Sequence, residues 1–237
     1  MHISVPSWVV PGTYAENLRF LDDKEDVDGV ELLFFLYDSD VRDLFLRERD
    51  ELRARSDRFA YTVHLPDRLE AAHEELVEGT ADLARSWVVH PPRDGDPEIL
   101  AALIGAWRER YGDRFYLENT VSARFEALRA LLPDAPLCLD TGHLLLEGKS
   151  PAAFAAANAG AIREIHLHGL GDGHGIPGLP YVAPTDGRLS DHRVFRADAP
   201  WFLELKPFLR SFAGIANVEV FSWAEAEIII RRIGSDE

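Results

Sequence analysis

Nine histidines occur in the 237 residues: His2, His64, His73, His90, His143, His166, His168, His174 and His192. Four of them close short apolar runs, His64 in YTVHLP, His90 in VVHPP, and His166 with His168 in EIHLHG. His143 follows Asp140 by three residues in LCLDTGH. The carboxylates obey the same rule: Glu118 ends a run in YLENT, Asp140 ends LCLD, and Glu219 sits in NVEVF. Neutral imidazoles and ionised carboxylates together are the donors that zinc, manganese and iron take. Gathered in one place, so many carboxylates repel unless cations or shared protons offset them. One histidine at a strand end would be an ordinary hydrogen-bonded residue. Repetition at successive runs is what points to a divalent-metal site, and so to an enzyme. His73 falls within a helical stretch and reads as a helix-surface residue, and His2 as a strand residue. The charged runs Asp22–Asp28 and Arg47–Arg58 read as solvated faces.

Elements far apart in sequence must bring these groups together. Candidate strands are Ile3–Val5, Val30–Leu36, Phe59–His64, Trp87–His90, Phe115–Glu118, Leu137–Asp140, Glu164–His168 and Val218–Phe221. Helical periodicity fills the intervals. Thr13 with Glu16, and Ser222 with Glu225, have capping-box spacing. Asp96-Pro97 opens a helix with Ile99, Leu100, Leu103, Ile104, Trp107 and Tyr111 at apolar positions, and Gly112 stops it. Ser150-Pro151 opens an alanine-rich helix that ends by Gly160. Strands alternating with helices give a parallel sheet. About 250 residues is typical of a (β/α)8 TIM barrel, so the expected fold is α/β, one such barrel spanning residues 1–237. An open doubly wound sheet is the alternative, but no GxGxxG follows the first strand. A barrel converges the C-terminal ends of its strands on one mouth, where active sites lie. The Gly- and Pro-rich stretch Gly169–Pro200 follows the seventh strand on that face and carries His174, Asp191 and His192. Trp8 comes at the end of the first strand and either walls the mouth or packs the barrel end.

The formal charge of −16 and the presence of only three lysines argue against a broad nucleic-acid surface. They do not exclude a small phosphorylated substrate, because bound divalent ions restore positive charge locally. Cys138 is the only cysteine and reads as an inert buried thiol. The N-terminal residues lack a basic-then-apolar pattern, and no apolar run approaches the roughly 18 residues of a membrane span. A soluble, cytoplasmic protein without a membrane partner is expected. Oligomeric state is left open.

The phrases HLP at His64, VVHPP at His90, LENT at Glu118, LDTGH at Asp140 and His143, IHLHG at His166 and VEVF at Glu219 resemble the xylose-isomerase-like barrel superfamily. That superfamily includes endonuclease IV and many sugar isomerases and epimerases. The resemblance runs over nearly the whole chain. It implies two or three divalent ions (Zn, Mn or Fe). By the endonuclease IV pattern, His64, His90 and Glu118 serve a first ion, and Glu118, Asp140, His166 and Glu219 a second. His143 and an Asp/His pair from the long loop serve a third. That pair is normally Asp-x-His; here Asp191-His192 is adjacent, whereas Asp172-Gly173-His174 has the spacing but lies nearer the strand. A narrower resemblance, carried by SWVVPGTYAENLRFL, VELLFF, YTVHLP, LHG and the later DH, is to the cobamide-remodelling phosphodiesterases. It implies hydrolysis of a small-molecule phosphodiester, with metal-activated water attacking phosphorus. Glu118, Glu219 and His143 are then the catalytic candidates, and His168, Trp8 and His174 the pocket candidates. The alternatives are a sugar or sugar-phosphate isomerase or epimerase using Glu118 and Glu219 to move a proton, and an endonuclease IV-like repair enzyme. A barrel used only for binding would lack a ligand, and none of the core positions is empty.

Overall fold

The computed structural model describes residues 1–171 and 191–234. Its strands are β1 (His2–Pro6), β2 (Gly29–Leu33), β3 (Ala60–His64), β4 (Ala84–Val89), β5 (Phe115–Glu118), β6 (Leu137–Asp140), β7 (Ile162–His166) and β8 (Ile215–Asn217). Each pairs in parallel with the next, and β1 pairs with β8, so the sheet closes. The helices are α1 (Tyr14–Leu21), α2 (Ser39–Ala54), α3 (Glu74–Thr80), α4 (Pro97–Tyr111), α5 (Ser122–Leu131), α6 (Thr141–Leu146), α7 (Pro151–Asn158), α8 (Pro200–Ser211) and α9 (Trp223–Gly234). This is the (β/α)8 barrel expected from the alternation.

Local chemistry sets the helix starts. Thr13 accepts from the Glu16 amide while the Glu16 carboxylate accepts from the Thr13 amide, closing the capping box of α1. Asp96 caps α4 ahead of Pro97, and Ser150 caps α7 ahead of Pro151. Glu225 has a longer reach than its capping-box spacing suggests. Its carboxylate accepts from the Val194 amide at 2.8 Å and pairs with Arg193 at 3.1 Å. This ties α9 to the segment carrying His192.

The apolar core is a ring between sheet and helices. Val5, Val30, Val63, Trp87, Leu117, Leu139 and Ile165 pack outward from the strands against such helix residues as Leu18, Phe45, Ile104, Phe125, Phe202 and Ile229, all buried. Strand side chains alternate between faces, and the other face is polar. Two hydrogen bonds join strands that are not neighbours in the sheet and must therefore cross the lumen: Ser86 Oγ of β4 to Glu164 Oε2 of β7 at 3.1 Å, and Asn217 Nδ2 of β8 to Glu31 Oε2 of β2.

Several strand boundaries differ from expectation. β4 runs Ala84–Val89 rather than Trp87–His90, which leaves His90 just beyond it. β2 stops at Leu33 rather than Leu36, although the Phe34 amide still donates to the His64 carbonyl at 3.0 Å. β7 stops at His166, leaving His168 beyond it. β8 is Ile215–Asn217, not Val218–Phe221. Ile215 lies in register between His2 and Glu164, whereas Val218 keeps only a bond to the Ser4 carbonyl on one side. Val218 and Val220 are buried without being paired on both sides, so their apolar signal reported burial. Glu219 therefore stands on the loop after β8. Among the described residues no helix is long and apolar enough to cross a membrane.

Gly29 lies between β1 and β3, where a Cβ atom would come within 2.7 Å of the Ala60 carbonyl oxygen. Gly29→Ala is expected to cost about 1–3 kcal/mol through this overpacking, measured by urea unfolding. A loss below about 0.5 kcal/mol, the level of an ordinary surface substitution, would contradict so close an approach.

Candidate metal centre

The mouth of the barrel gathers the strand-end donors around Glu118. His90 Nε2 lies 3.1 Å and His64 Nε2 3.5 Å from Glu118 Oε2, and the two imidazole nitrogens are 3.0 Å apart. His143 Nε2 approaches the other oxygen, Oε1, at 3.4 Å. His166 Nδ1 stands 3.4 Å from Glu118 Oε2, 3.1 Å from Glu219 Oε2 and 4.0 Å from Asp140 Oδ2. His192 Nδ1 is 3.6 Å from Glu219 Oε2. Donors bound to one ion at about 2.0–2.2 Å sit roughly 3–3.5 Å from one another, and most of these separations fall there. Within the ring, His64/His90/Glu118 and Glu118/Asp140/His143 each place their ligand atoms within 4.8 Å of one another.

Each donor is aimed by a neighbour. His64 Nδ1 donates to the Leu65 carbonyl at 2.9 Å, which leaves the Nε2 lone pair for the site. His90 Nδ1 faces Asp67 Oδ1 at 3.0 Å, with the same result. Asn119 pins Asp140 by exchanging two 2.9 Å bonds with its backbone. Asp140 also caps α6, accepting from the His143 amide at 2.6 Å, so the carboxylate and the following imidazole are set together. His168 shares a cluster with His192 and Glu219, but its proton placement argues against a ligand. Its Nδ1 accepts from the His192 amide at 2.8 Å, so Nε2 carries the proton and donates to Asp140 Oδ2 at 2.9 Å. His168 thus orients Asp140. Its ring fills the space beside Gly142, where a Cβ would meet His168 Cε1 at 2.0 Å, and this explains the glycine of DTGH.

The structure therefore brings together His64, His90, Glu118, Asp140, His143, His166, His192 and Glu219. Asp191 is half-buried next to His192. His174, with Asp172 and Gly173, lies outside the described residues. Trp8 is 56% exposed, with its ring 6.5 Å from that of Phe221, so it borders the mouth rather than filling the barrel end. Sequence reasoning missed Asp67, whose signal was its place three residues after His64 in HLPD. It also missed Glu31 and Glu164, lumen carboxylates below the mouth.

Charge in the mouth is strongly coupled. Burial alone would raise the Glu118 carboxyl, but His90 and His166 outweigh it and hold it well below the usual carboxylate range. Burial would lower the histidines; instead Glu118 and Asp67 push His90 up to about 10, and Asp140 and Glu118 push His143 up to about 9. Without a cation, the carboxylates recruit protons onto imidazole. Even so, His166 Nδ1, His166 Nε2 and Glu219 Oε2 are buried with no hydrogen-bond partner among the described residues. Such orphaned groups are costly, and a divalent ion satisfies a mixed imidazole and carboxylate set of this kind. The residues fit a metal.

Two outcomes follow. Asp67→Asn should weaken cation affinity about 10–100-fold by loosening His90, measured by titration calorimetry with Mn2+; unchanged affinity would remove Asp67 from the site. The raised pKa values of His90 and His143 mean their protonated forms stabilise the cation-free fold below about pH 6.5, and this stability is lost as pH rises through about 9–10. Cations compete with those protons, so Mn2+ affinity should rise from pH 6.5 towards 9 with proton release; a flat profile would contradict the coupling.

No protein-family model matches the chain, and no curated protein matches it. Solved structures do. A xylose isomerase domain-containing protein from Salmonella typhimurium is 20% identical with a TM-score of 0.61, over 98% of this chain and 93% of that one. The probable 3-DHS dehydratase AsbF of petrobactin synthesis from Bacillus anthracis is 13% identical with a TM-score of 0.66, over 99% and 98%. Endonuclease IV from Thermus thermophilus is 19% identical with a TM-score of 0.58, over 99% and 98%. At such identities the likeness establishes the architecture alone: this chain has a (β/α)8 barrel, as those proteins do.

Proposed function

We propose that the chain is a metal-dependent hydrolase of a small-molecule phosphodiester, with two or three divalent ions (Zn, Mn or Fe) held by His64, His90, Glu118, Asp140, His143, His166, His192, Glu219 and, beside His192, Asp191. The observation that carries this reading is the position of Glu118. Its Oε2 faces His64, His90 and His166 while its Oε1 faces His143. The eight donors of the mouth are more than one ion of four to six ligands can take, and a carboxylate presented on both oxygens suits a bridge between ions. Such ions, when bound, polarise phosphoryl oxygens and acidify water.

The chain's own groups supply the rest. Glu219 Oε2, buried and without a hydrogen-bond partner among the described residues, is placed to take the proton of the attacking water. His143, whose side chain is 23% exposed, can hand a proton to the departing oxygen. His168 and the His143 amide keep Asp140 fixed throughout. Beside His90 a cavity of 820 Å³, lined in part by Asp67, Leu69, Arg93, Ile99 and Leu103, offers an apolar floor with an arginine at its rim. Trp8, Leu36 and Phe221 form further exposed apolar surface on the loops after β1, β2 and β8. These surfaces suit a phosphodiester carrying a bulky organic group better than a nucleic-acid duplex, whose binding calls for basic surface. Within that class the nucleotide-loop phosphodiester of a cobamide is our preferred substrate, on the phrases shared with the cobamide-remodelling enzymes.

One observation supports a second reading, sugar or sugar-phosphate isomerisation. Glu118 Oε2 and Glu219 Oε2 both lie within 3.4 Å of His166 Nδ1, so two carboxylates flank one point and could move a substrate proton around a single ion.

Metal analysis of protein purified without chelator, followed by assay on cobamides and bis-p-nitrophenyl phosphate, separates the two. The equivalents lost on Glu118→Gln substitution count the ions of the mouth, and two or three of them with phosphodiester turnover support hydrolysis. One equivalent, with turnover of a sugar phosphate instead, moves the assignment to an isomerase or epimerase. Glu118→Gln is expected to lower kcat by about 10²–10³-fold, the range of a lost transition-state charge contact, with an unchanged circular dichroism spectrum. Full activity in that variant would refute the central role of Glu118.

A further inference from the structure

Below the mouth, the lumen holds a second polar layer. On three strands the residue two positions before a mouth donor, and so on the same face, is itself polar: Thr62 before His64, Tyr116 before Glu118, and Glu164 before His166. Asn217 ends β8 two residues before Glu219. Glu31 joins them from β2. Glu31 and Glu164 are both 0% exposed. One oxygen of each is satisfied, Glu31 Oε2 by Asn217 Nδ2 and Glu164 Oε2 by Ser86 Oγ. Among the described residues the second oxygen of each, Oε1, has no hydrogen-bond partner, and neither has His166 Nε2. These orphaned atoms converge. His166 Nε2 is 3.2 Å from Glu31 Oε1 and 4.0 Å from Glu164 Oε1, and the three residues place their ligand atoms within 4.8 Å of one another. Among the described residues no Arg or Lys pairs with either carboxylate.

We propose that Glu31, Glu164 and His166 Nε2 hold a divalent metal ion in the barrel lumen, beneath the mouth and separate from the ions there. Two buried carboxylates facing each other need a shared proton or a cation between them, and the unpartnered imidazole nitrogen beside them favours the cation. His166 Nε2 approaches Glu31 Oε1 at 3.2 Å but outside hydrogen-bond geometry, an arrangement in which one ion between them satisfies both atoms. A nitrogen and an oxygen about 3.2 Å apart and not bonded to each other are spaced as two ligands of one ion. The ring's other nitrogen faces Glu118 and Glu219, so His166 joins the two layers. With ions on both sides, the ring releases its N–H proton to solvent and bridges them as imidazolate. That bridge rests on the mouth reading given above; the deep site itself does not.

The wild-type protein soaked with Mn2+ tests this by anomalous diffraction at the manganese edge. A peak between Glu31 Oε1 and Glu164 Oε1 is the expected result. Density there without anomalous signal, or no density, overturns the proposal. Mouth peaks are scored separately: a deep peak with an empty mouth would sink the hydrolase reading and leave this one standing, and the reverse would do the opposite. In solution, Glu164→Gln should retain one Mn2+ equivalent fewer than wild type after desalting, whereas Glu118→Gln should lose mouth equivalents and keep the deep one. Glu31→Gln repeats the deep test independently, and equal stoichiometry in wild type and either deep variant would count against the site.

Discussion

A carboxylate removed from water must be met by positive charge or by donors, and Glu118 is met from three strands and a helix at once. Its side chain is 1% exposed at the centre of the mouth. Imidazoles reach it from the ends of β3, β4 and β7 and from α6. Every other arrangement at the mouth serves this convergence. The Leu65 carbonyl and Asp67 take the outer protons of His64 and His90 so that the inner nitrogens face Glu118. Asn119, the next residue, clamps the backbone of Asp140 on the neighbouring strand. Closure of the sheet makes this possible, because only a closed barrel brings β3 and β7 across from each other.

The fold and most of the mouth were legible in the sequence for one reason. In a parallel barrel the end of a strand is also the edge of the site, so an apolar run closed by His, Asp or Glu reports secondary structure and chemistry together. YTVHLP, YLENT and LCLDTGH all read this way. Where the two signals separate, reading fails. Val218 and Val220 are more apolar than Asn217, yet the pairing belongs to Ile215–Asn217, because apolar character marks what is buried and not what is bonded. Asp67 and His168 were harder. Each acts through another residue, one through His90 and one through Asp140, and such a role depends on a proton's position that no sequence pattern displays. The deep layer was accessible in principle. Glu164 precedes His166 by two in EIH, and the period of a strand puts both on one face. A glutamate inside an apolar run reads on its own as an outward, solvated residue.

The division between lumen and outer ring also separates two kinds of constraint. Side chains such as Trp87, Phe115 and Trp107 stack and pack between sheet and helices, with Trp87 and Phe115 ring centroids 4.9 Å apart. None of them takes part in the mouth. The donors, in turn, contribute little to that packing and leave several polar atoms unsatisfied.

Because the apolar mass of the molecule lies in an annulus around the chemistry rather than beneath it, the two can change independently over evolutionary time. Exchanging one strand-end donor for another alters the chemistry of the axis while leaving the annulus intact. Repacking the annulus tunes thermal tolerance without moving a ligand. A barrel built with a polar axis is in this sense a reusable chassis, and the chemistry of any one such chain has to be sought in the handful of side chains that line its axis.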